Sequence, residues 1–242
     1  ERDGLLNSLG AVLHEALQAS LGASFTADLI EQGPLILDGL AKTLWLAAGV
    51  SLTGLLWGVL VFRASTSSHG AVRRAAKAYI SFFIGMPLLV LLFLMYYGLP
   101  QWGVRVSPFM VAWVGFTLNV GAYNAAYLST AYSGLSRDEL DAAAAQGFSE
   151  GQIFRLIVLP QVLRQSVPAL TNQVILNLKD SSIVFLIQVT EFFGRMQELA
   201  ATNFQFLKTY LLAAAVYLVL VSIIVLAARW LERRVVLPTG AH

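Results

Sequence analysis

The sequence contains no cysteine, which removes disulfide frameworks, thiol nucleophiles and cysteine-based metal sites together. Histidine is nearly missing: His14, His69 and His242 are scattered and share no spacing that would hold a metal ion. Charge is scarce too. Only 12% of the 242 residues are charged, against roughly 25% in an average soluble domain. So few charges cannot cover a water-soluble globule of this size, which excludes a soluble enzyme. A net charge of +2 gives no support to nucleic acid as a partner. No glycine-rich run ends in Gly-Lys-Ser/Thr, so the chain has no P-loop with which to hydrolyse ATP. What it has in excess is apolar surface, with 57% hydrophobic residues and a mean hydropathy of +0.68. That composition excludes disorder and identifies an integral membrane protein.

A spanning helix needs about 20 mostly apolar residues. Charge-free stretches of 19, 22 and 20 residues occupy 44–62, 78–99 and 209–228. A fourth candidate is 106–128, inside a run without charge as far as Ser136. The fifth is 167–189, where Lys179 and Asp180 are carried by apolar flanks at 174–176 and 183–187. The predicted fold is therefore an all-α integral membrane bundle of five transmembrane helices. Arg63, Arg73, Arg74, Lys77, Arg137, Arg155, Arg164, Arg229, Arg233 and Arg234 put ten cations on one face; Arg2, Lys42, Arg105, Arg195 and Lys208 put five on the other. The positive-inside bias then places the N-terminus outside and the C-terminus inside.

Residues 1–38 lack an initiator Met, a basic start and a continuous apolar core, so they do not read as a signal peptide but as a trimmed or processed start. Leu5, Leu9, Val12, Leu13, Leu17 and Leu21 recur at helical steps between polar residues. The pattern predicts an amphipathic extracytoplasmic helix, lying in the outer interface or packed on the protein's own outer face.

Within the spans, Gly49, Gly54 and Gly58 predict close helix packing, and Pro87 predicts a bend in the second span. Trp102, Tyr96 and Tyr97 suit an interfacial aromatic belt. Lys179 and Asp180 are costly in a membrane unless they face a cavity or a partner. They either line a transport path or tie helices together near a water-filled vestibule. Asn172, Lys179 and Ser182 share one helical stripe, and Gln173, Asn177 and Asp180 the next. Asn119, Tyr123 and Asn124 gather polar groups in the inner half of the third span, for interhelical hydrogen bonds or for a solute.

The cytoplasmic loop over about 132–165 is longer than a bundle connection requires. Ser136 and Glu139 fit a capping box for a helix running through Leu140 to Ala145, which Gly147 ends in a left-handed cap. Ser149 and Gln152 fit a second box, and the helix it starts is interrupted at Pro160.

Asp141-Ala142-Ala143, Gly147 and then Ile157-Val158-Leu159-Pro160 stand at the spacing of the EAA loop of ABC importer permeases, which they resemble. Asp141 replaces the family's usual Glu, keeping the charge and shortening the reach. The resemblance reaches over roughly 40–235. Ala41-Lys42-Thr43-Leu44-Trp45, Pro87-Leu88-Leu89-Val90, Gly121-Ala122-Tyr123, Leu178-Lys179-Asp180-Ser181-Ser182 and Leu231-Glu232-Arg233-Arg234 look like successive landmarks of the polar amino acid permease branch. The chain departs from it at Ile84, Leu91, Ala126 and Ser129, where that branch commonly carries Arg, Gln, Glu and Arg.

The resemblance implies a division into the 1–38 segment and an importer transmembrane domain over 39–242. It implies that Asp141, Ala142, Ala143, Gly147, Ile157, Leu159 and Pro160 belong to a coupling loop that docks on a cytoplasmic ATPase. The expected partners are a second permease subunit, identical or related, two ABC ATPases holding ATP and Mg, and an extracytoplasmic solute-binding protein, at a bacterial inner membrane. The expected cargo is a polar amino acid or similar small solute, with Asn119, Tyr123, Asn124, Lys179, Asp180 and Ser181 as candidates for its path. A transport-inactive scaffold or channel-like subunit keeping the fold is the alternative. A fragment of a secondary transporter would show inverted repeats with paired broken helices, and none is visible in the sequence.

Overall fold

The computed structural model describes residues 22–235, and among them every regular element is helical. The first helix, α1 (Ala23–Ser65), has 43 residues. At 1.5 Å per residue that is about 65 Å, roughly twice the hydrocarbon thickness of a bilayer. It runs through Pro34 and through the 38/39 boundary without a break. Leu29, Ile36 and Leu40 dock on a cluster of Phe192, Met196, Leu199 and Ala213, so residues 23–38 are part of the bundle. The amphipathic pattern at 5–21 lies outside the described residues.

The expected second span is two helices, α2 (Gly70–Gly85) and α3 (Leu88–Gly98), the latter continued by a 3-10 turn over Leu99–Trp102. Their axes differ by 99° at the break. Pro87 therefore does more than bend the helix. It has no N–H to give the Phe83 carbonyl four residues back, and the Asn119 side-chain amide donates to that carbonyl instead, at 3.0 Å.

α4 (Pro108–Ser133) runs along α1 through the middle of the bundle. Ser107 caps it by accepting from the Met110 amide at 3.3 Å, and Pro108 fills the first turn, where a missing N–H costs nothing. The glycine positions of α1 are what let the two helices approach. A Cβ at Gly54 would lie 2.5 Å from Val120 and one at Gly58 2.6 Å from Asn124, and one at Gly49 would overlap the Trp113 ring. Leu46, Val50, Leu92, Phe116, Val120, Val184 and Ile187 close the core beside this contact.

Two short helices, α5 (Arg137–Ala145) and α6 (Glu150–Ile153), form a protrusion. A π-helical turn over Phe154–Val158 joins α6 to α7 (Leu159–Asp180). The expected interruption at Pro160 is absent. The wider π turn precedes the proline, which sits in the first turn of α7 and continues the helical path. The span expected at 167–189 is not one α-helix either. It ends at Asp180 and tightens into a 3-10 helix over Ser181–Ile187. Ser181 Oγ donates to the Leu178 carbonyl at 2.7 Å and Ser182 Oγ to the Lys179 carbonyl at 2.9 Å. These hydroxyls take up carbonyls that the lost helical turn would have satisfied.

The chain closes with α8 (Phe192–Asn203) and α9 (Phe206–Val235), separated by Phe204 in a left-handed conformation with φ 57°. By length and apolarity, Ser24–Ser65 and Phe206–Trp230 can each cross a membrane alone, and the bent α2–α3 pair makes a third candidate. α4 and α7, with 26 and 22 residues, are comparably long, but they carry the polar side chains of the bundle interior.

Candidate functional site

The protrusion is built by its caps. The Gly147 backbone, at φ 85°, lets the Phe148 amide reach the Ala143 carbonyl at 3.2 Å and the Gly147 amide the Ala144 carbonyl at 3.0 Å. This is the Schellman arrangement that ends a helix. Ser149 and Gln152 form the expected capping box: the Ser149 amide donates to Gln152 Oε1 at 2.8 Å and the Gln152 amide to Ser149 Oγ at 3.4 Å. The box expected at Ser136 does not form. Glu139 turns away and accepts from Gln161 Nε2 at 3.2 Å, tying α5 to α7, and the Ser136 side chain caps nothing.

The seven residues expected to form a coupling loop divide between two faces. Asp141, Ala142, Gly147 and Pro160 are exposed. Ala143 is buried, while Ile157 and Leu159 are half-buried beside Val158, which packs with Phe62, Leu128 and Val162. Arg63 lies over the Phe154 ring at 5.0 Å. Asp141 also borders a cavity of about 360 Å³ between α5 and the α1–α2 turn, together with Arg63, Arg73, Arg137 and Glu150. The protrusion thus has a packed root and a polar, small-residue outer face.

The candidate path residues do not all meet. Asn119, Tyr123 and Asp180 line one cavity of about 400 Å³, with Gln173, Ile84, the backbone break at Gly85–Pro87, Leu88 and Leu176. Ile84, one of the departures noted above, is an apolar wall of this cavity, whereas Leu91 is buried in the core. Asn124 belongs elsewhere. It is buried beside a void of about 50 Å³ with Ser51, Gln173 and Asn177, and its side-chain oxygen accepts no hydrogen bond from the described residues. Ser181 is fully buried at the end of α7, and Lys179 points to the exposed side of that helix, off the cavity.

A chain of hydrogen bonds crosses the bundle beside the cavity. Tyr127 OH donates to Gln173 Oε1 at 3.3 Å, Gln173 Nε2 to Asn177 Oδ1 at 3.0 Å, and Asn177 Nδ2 to Ser51 Oγ at 2.9 Å. Ser51 then donates to the Ala47 carbonyl at 2.6 Å. The chain binds α4, α7 and α1 with each donor aimed at an acceptor. Tyr127 and Ser51 carry no mark in the sequence that separates them from other polar residues of apolar helices.

A second hub, also missed by sequence reasoning, is Glu191. It is completely buried, and its carboxylate accepts from Thr43 Oγ1 at 2.8 Å, the Phe193 amide at 2.9 Å, the Gly194 amide at 2.8 Å and Tyr217 OH at 3.3 Å. These bonds cap α8 and hold it to α1 and α9. The available signal is that Glu191 is the one charged residue between Asp180 and Arg195.

Known proteins share this architecture. Residues 51–237 match the family described as binding-protein-dependent transport system inner membrane component. The chain is 33% identical over 205 residues to the "Probable amino-acid ABC transporter permease protein YckA" of Bacillus subtilis, covering 85% of this chain and 91% of the relative. It is 32% identical over 203 residues to the glutamine transport system permease protein GlnP of Escherichia coli, covering 83% and 93%. A crystal structure of an amino acid ABC transporter with histidines superimposes with a TM-score of 0.78 at 28% identity, over 85% of this chain and 96% of that one. A membrane bundle that resembles such proteins over nearly its whole described length belongs to the family of ABC transporter permeases of the amino-acid type.

Proposed function

We propose that this chain is the membrane-spanning subunit of a binding-protein-dependent importer that carries an amino acid or similar small polar solute across a bacterial inner membrane. It crosses five times, with the N-terminal side outside and the protrusion and C-terminus inside. Two permease subunits pair around the path, two ABC ATPases with their ATP and Mg dock beneath them, and an external binding protein delivers the solute. Relatives named for the transport of glutamine, arginine and L-cystine support the amino-acid class without choosing within it.

The observation that carries this reading is the protrusion. Its root is packed into the bundle while Asp141, Ala142 and Gly147 stay exposed at its tip. A rigidly rooted tip transmits force, and ATP-driven closure of the motors would rock the bundle as a body between outward and inward openings. The solute passes at the cavity of Asn119, Tyr123, Gln173 and Asp180. Asp180 is exposed on the cavity side in the single chain. A carboxylate there cannot face lipid without a large penalty, so that side belongs to the aqueous path between paired subunits.

The test is assembly. Gly147→Val puts a branched side chain at φ 85°, a conformation that costs such a residue about 1–3 kcal/mol. It should reshape the tip and abolish both co-purification with an ABC ATPase and ATP-dependent uptake, while the chain still reaches the membrane. Intact assembly and uptake in this variant would contradict the proposal.

A further inference from the structure

The cavity beside Asp180 has the apolar Ile84, Met86, Pro87, Leu88 and Leu176 among its walls, and its polar side chains are Asn119, Tyr123, Gln173 and Asp180. Asp180 supplies its one carboxylate, and no ammonium, guanidinium or imidazole is among the lining residues. The Asn119 amide nitrogen is committed to the Phe83 carbonyl, which leaves its oxygen free to accept. Gln173 is committed on both sides, to Tyr127 and to Asn177. The α2 helix ends here at Gly85 with the negative end of its dipole, while α7 runs on past Asp180 as a 3-10 helix, its Leu178 and Lys179 carbonyls accepting from the Ser181 and Ser182 hydroxyls. Pro87, between α2 and α3, has no N–H to offer. The start of α3 at Leu88 adds a positive end that offsets the C-terminus of α2, which leaves the Asp180 carboxylate as the charge of the lining. Lys179, next to Asp180 in sequence, is exposed and does not line the cavity, although its ammonium charge acts on the Asp180 carboxylate.

We propose that this importer's solute is a small organic cation, a basic amino acid or amine, whose ammonium or guanidinium group is held by Asp180 and the Asn119 side-chain oxygen. The proposal rests on the reading that the solute passes this cavity and specifies the charge of what passes. A volume of about 400 Å³ is ample for a solute of that size. Tyr123 also lines this space, and an aromatic ring is a group beside which guanidinium ions settle favourably.

The experiment measures equilibrium binding of radiolabelled L-arginine, agmatine, L-glutamine and L-glutamate to the purified full-length chain in lipid nanodiscs. L-Arginine and agmatine should bind at least tenfold more tightly than L-glutamine, and L-glutamate should not bind measurably. Asp180→Asn should abolish the preference, and Asp180→Glu, which keeps the charge, should retain it. Ile84→Arg, which sets a cation into the opposite wall, should weaken L-arginine at least tenfold in a protein whose elution profile is unchanged. Binding of L-glutamine as tight as that of L-arginine, still lost in Tyr123→Ala, would overturn the cation class and leave the path where it is. Binding of all four probes indifferent to Asp180, Tyr123 and Ile84 substitutions would overturn the path assignment and the class with it.

Discussion

Asn177 donates to Ser51 Oγ at 2.9 Å across 126 residues of sequence, and Gln173 donates to the oxygen of the same Asn177 amide at 3.0 Å. One buried side chain therefore fixes α7 against α1 and orients Gln173, a wall of the candidate solute cavity. Asn177→Leu strands the Gln173 amide and should cost about 1–3 kcal/mol, the penalty for an unmade buried hydrogen bond. Ser51→Ala alone should cost less. A double-mutant cycle of Asn177→Ala and Ser51→Ala, read by reversible unfolding in mixed micelles, should give a coupling of about 0.5–1.5 kcal/mol. Strict additivity would mean that the contact contributes nothing.

Asn119 and Pro87 form a similar pair at the break between α2 and α3. Pro87 leaves the Phe83 carbonyl without its helical donor, and Asn119 supplies one. Asn119→Leu should lower the thermal midpoint in detergent, because a carbonyl is then buried unpaired at about 1–3 kcal/mol. Pro87→Ala restores a backbone N–H at that place. Combined with Asn119→Leu it should recover part of the loss, provided α2 and α3 straighten. Full additivity of the two substitutions would show that the Asn119 side chain does not act through that carbonyl.

Glu191 anchors α8 with four accepted hydrogen bonds. Glu191→Leu leaves the Thr43 hydroxyl and the Phe193 and Gly194 amides without an acceptor and should cost about 3 kcal/mol or more. Glu191→Gln keeps one acceptor oxygen and should cost about half as much. Proteolysis in the connection near Phe204 reports the release of α8. It should speed up in the Leu variant and change little in the Gln variant. Equal rates in both would contradict a role for the acceptor.

Much of this was legible in the residues, and the parts that were not share a cause. The protrusion could be read because its signals are local: Ser149 with Gln152, and Gly147 at the end of a run of helix formers, act within one turn of the chain. Gly49, Gly54 and Gly58 also declared themselves, since a row of missing side chains on a spanning helix has few uses besides close approach. The box at Ser136 failed because Glu139 found Gln161, 22 residues away, and sequence spacing cannot see a competing long-range donor. The same holds for the candidate solute cavity. Asn119, Tyr123 and Asp180 come together with Gln173 only because α2 breaks at Pro87 and α7 at Asp180. Asn124, only one residue from Tyr123, faces α1 instead. Glu191 escaped notice because its partners, Thr43 and Tyr217, are distant in sequence and individually ordinary.

The absence of cysteine makes the central claim directly measurable, since one introduced thiol is unique in the chain. Ala142 is exposed at the tip of α5. Ala142→Cys, carrying a short bifunctional cross-linker in intact membranes, should trap an ABC ATPase as a single adduct whose yield changes on addition of ATP. An Ala142→Cys thiol that forms no adduct with any ATPase, reacts freely with a water-soluble maleimide in inverted vesicles and leaves uptake unaltered when so modified would contradict the account.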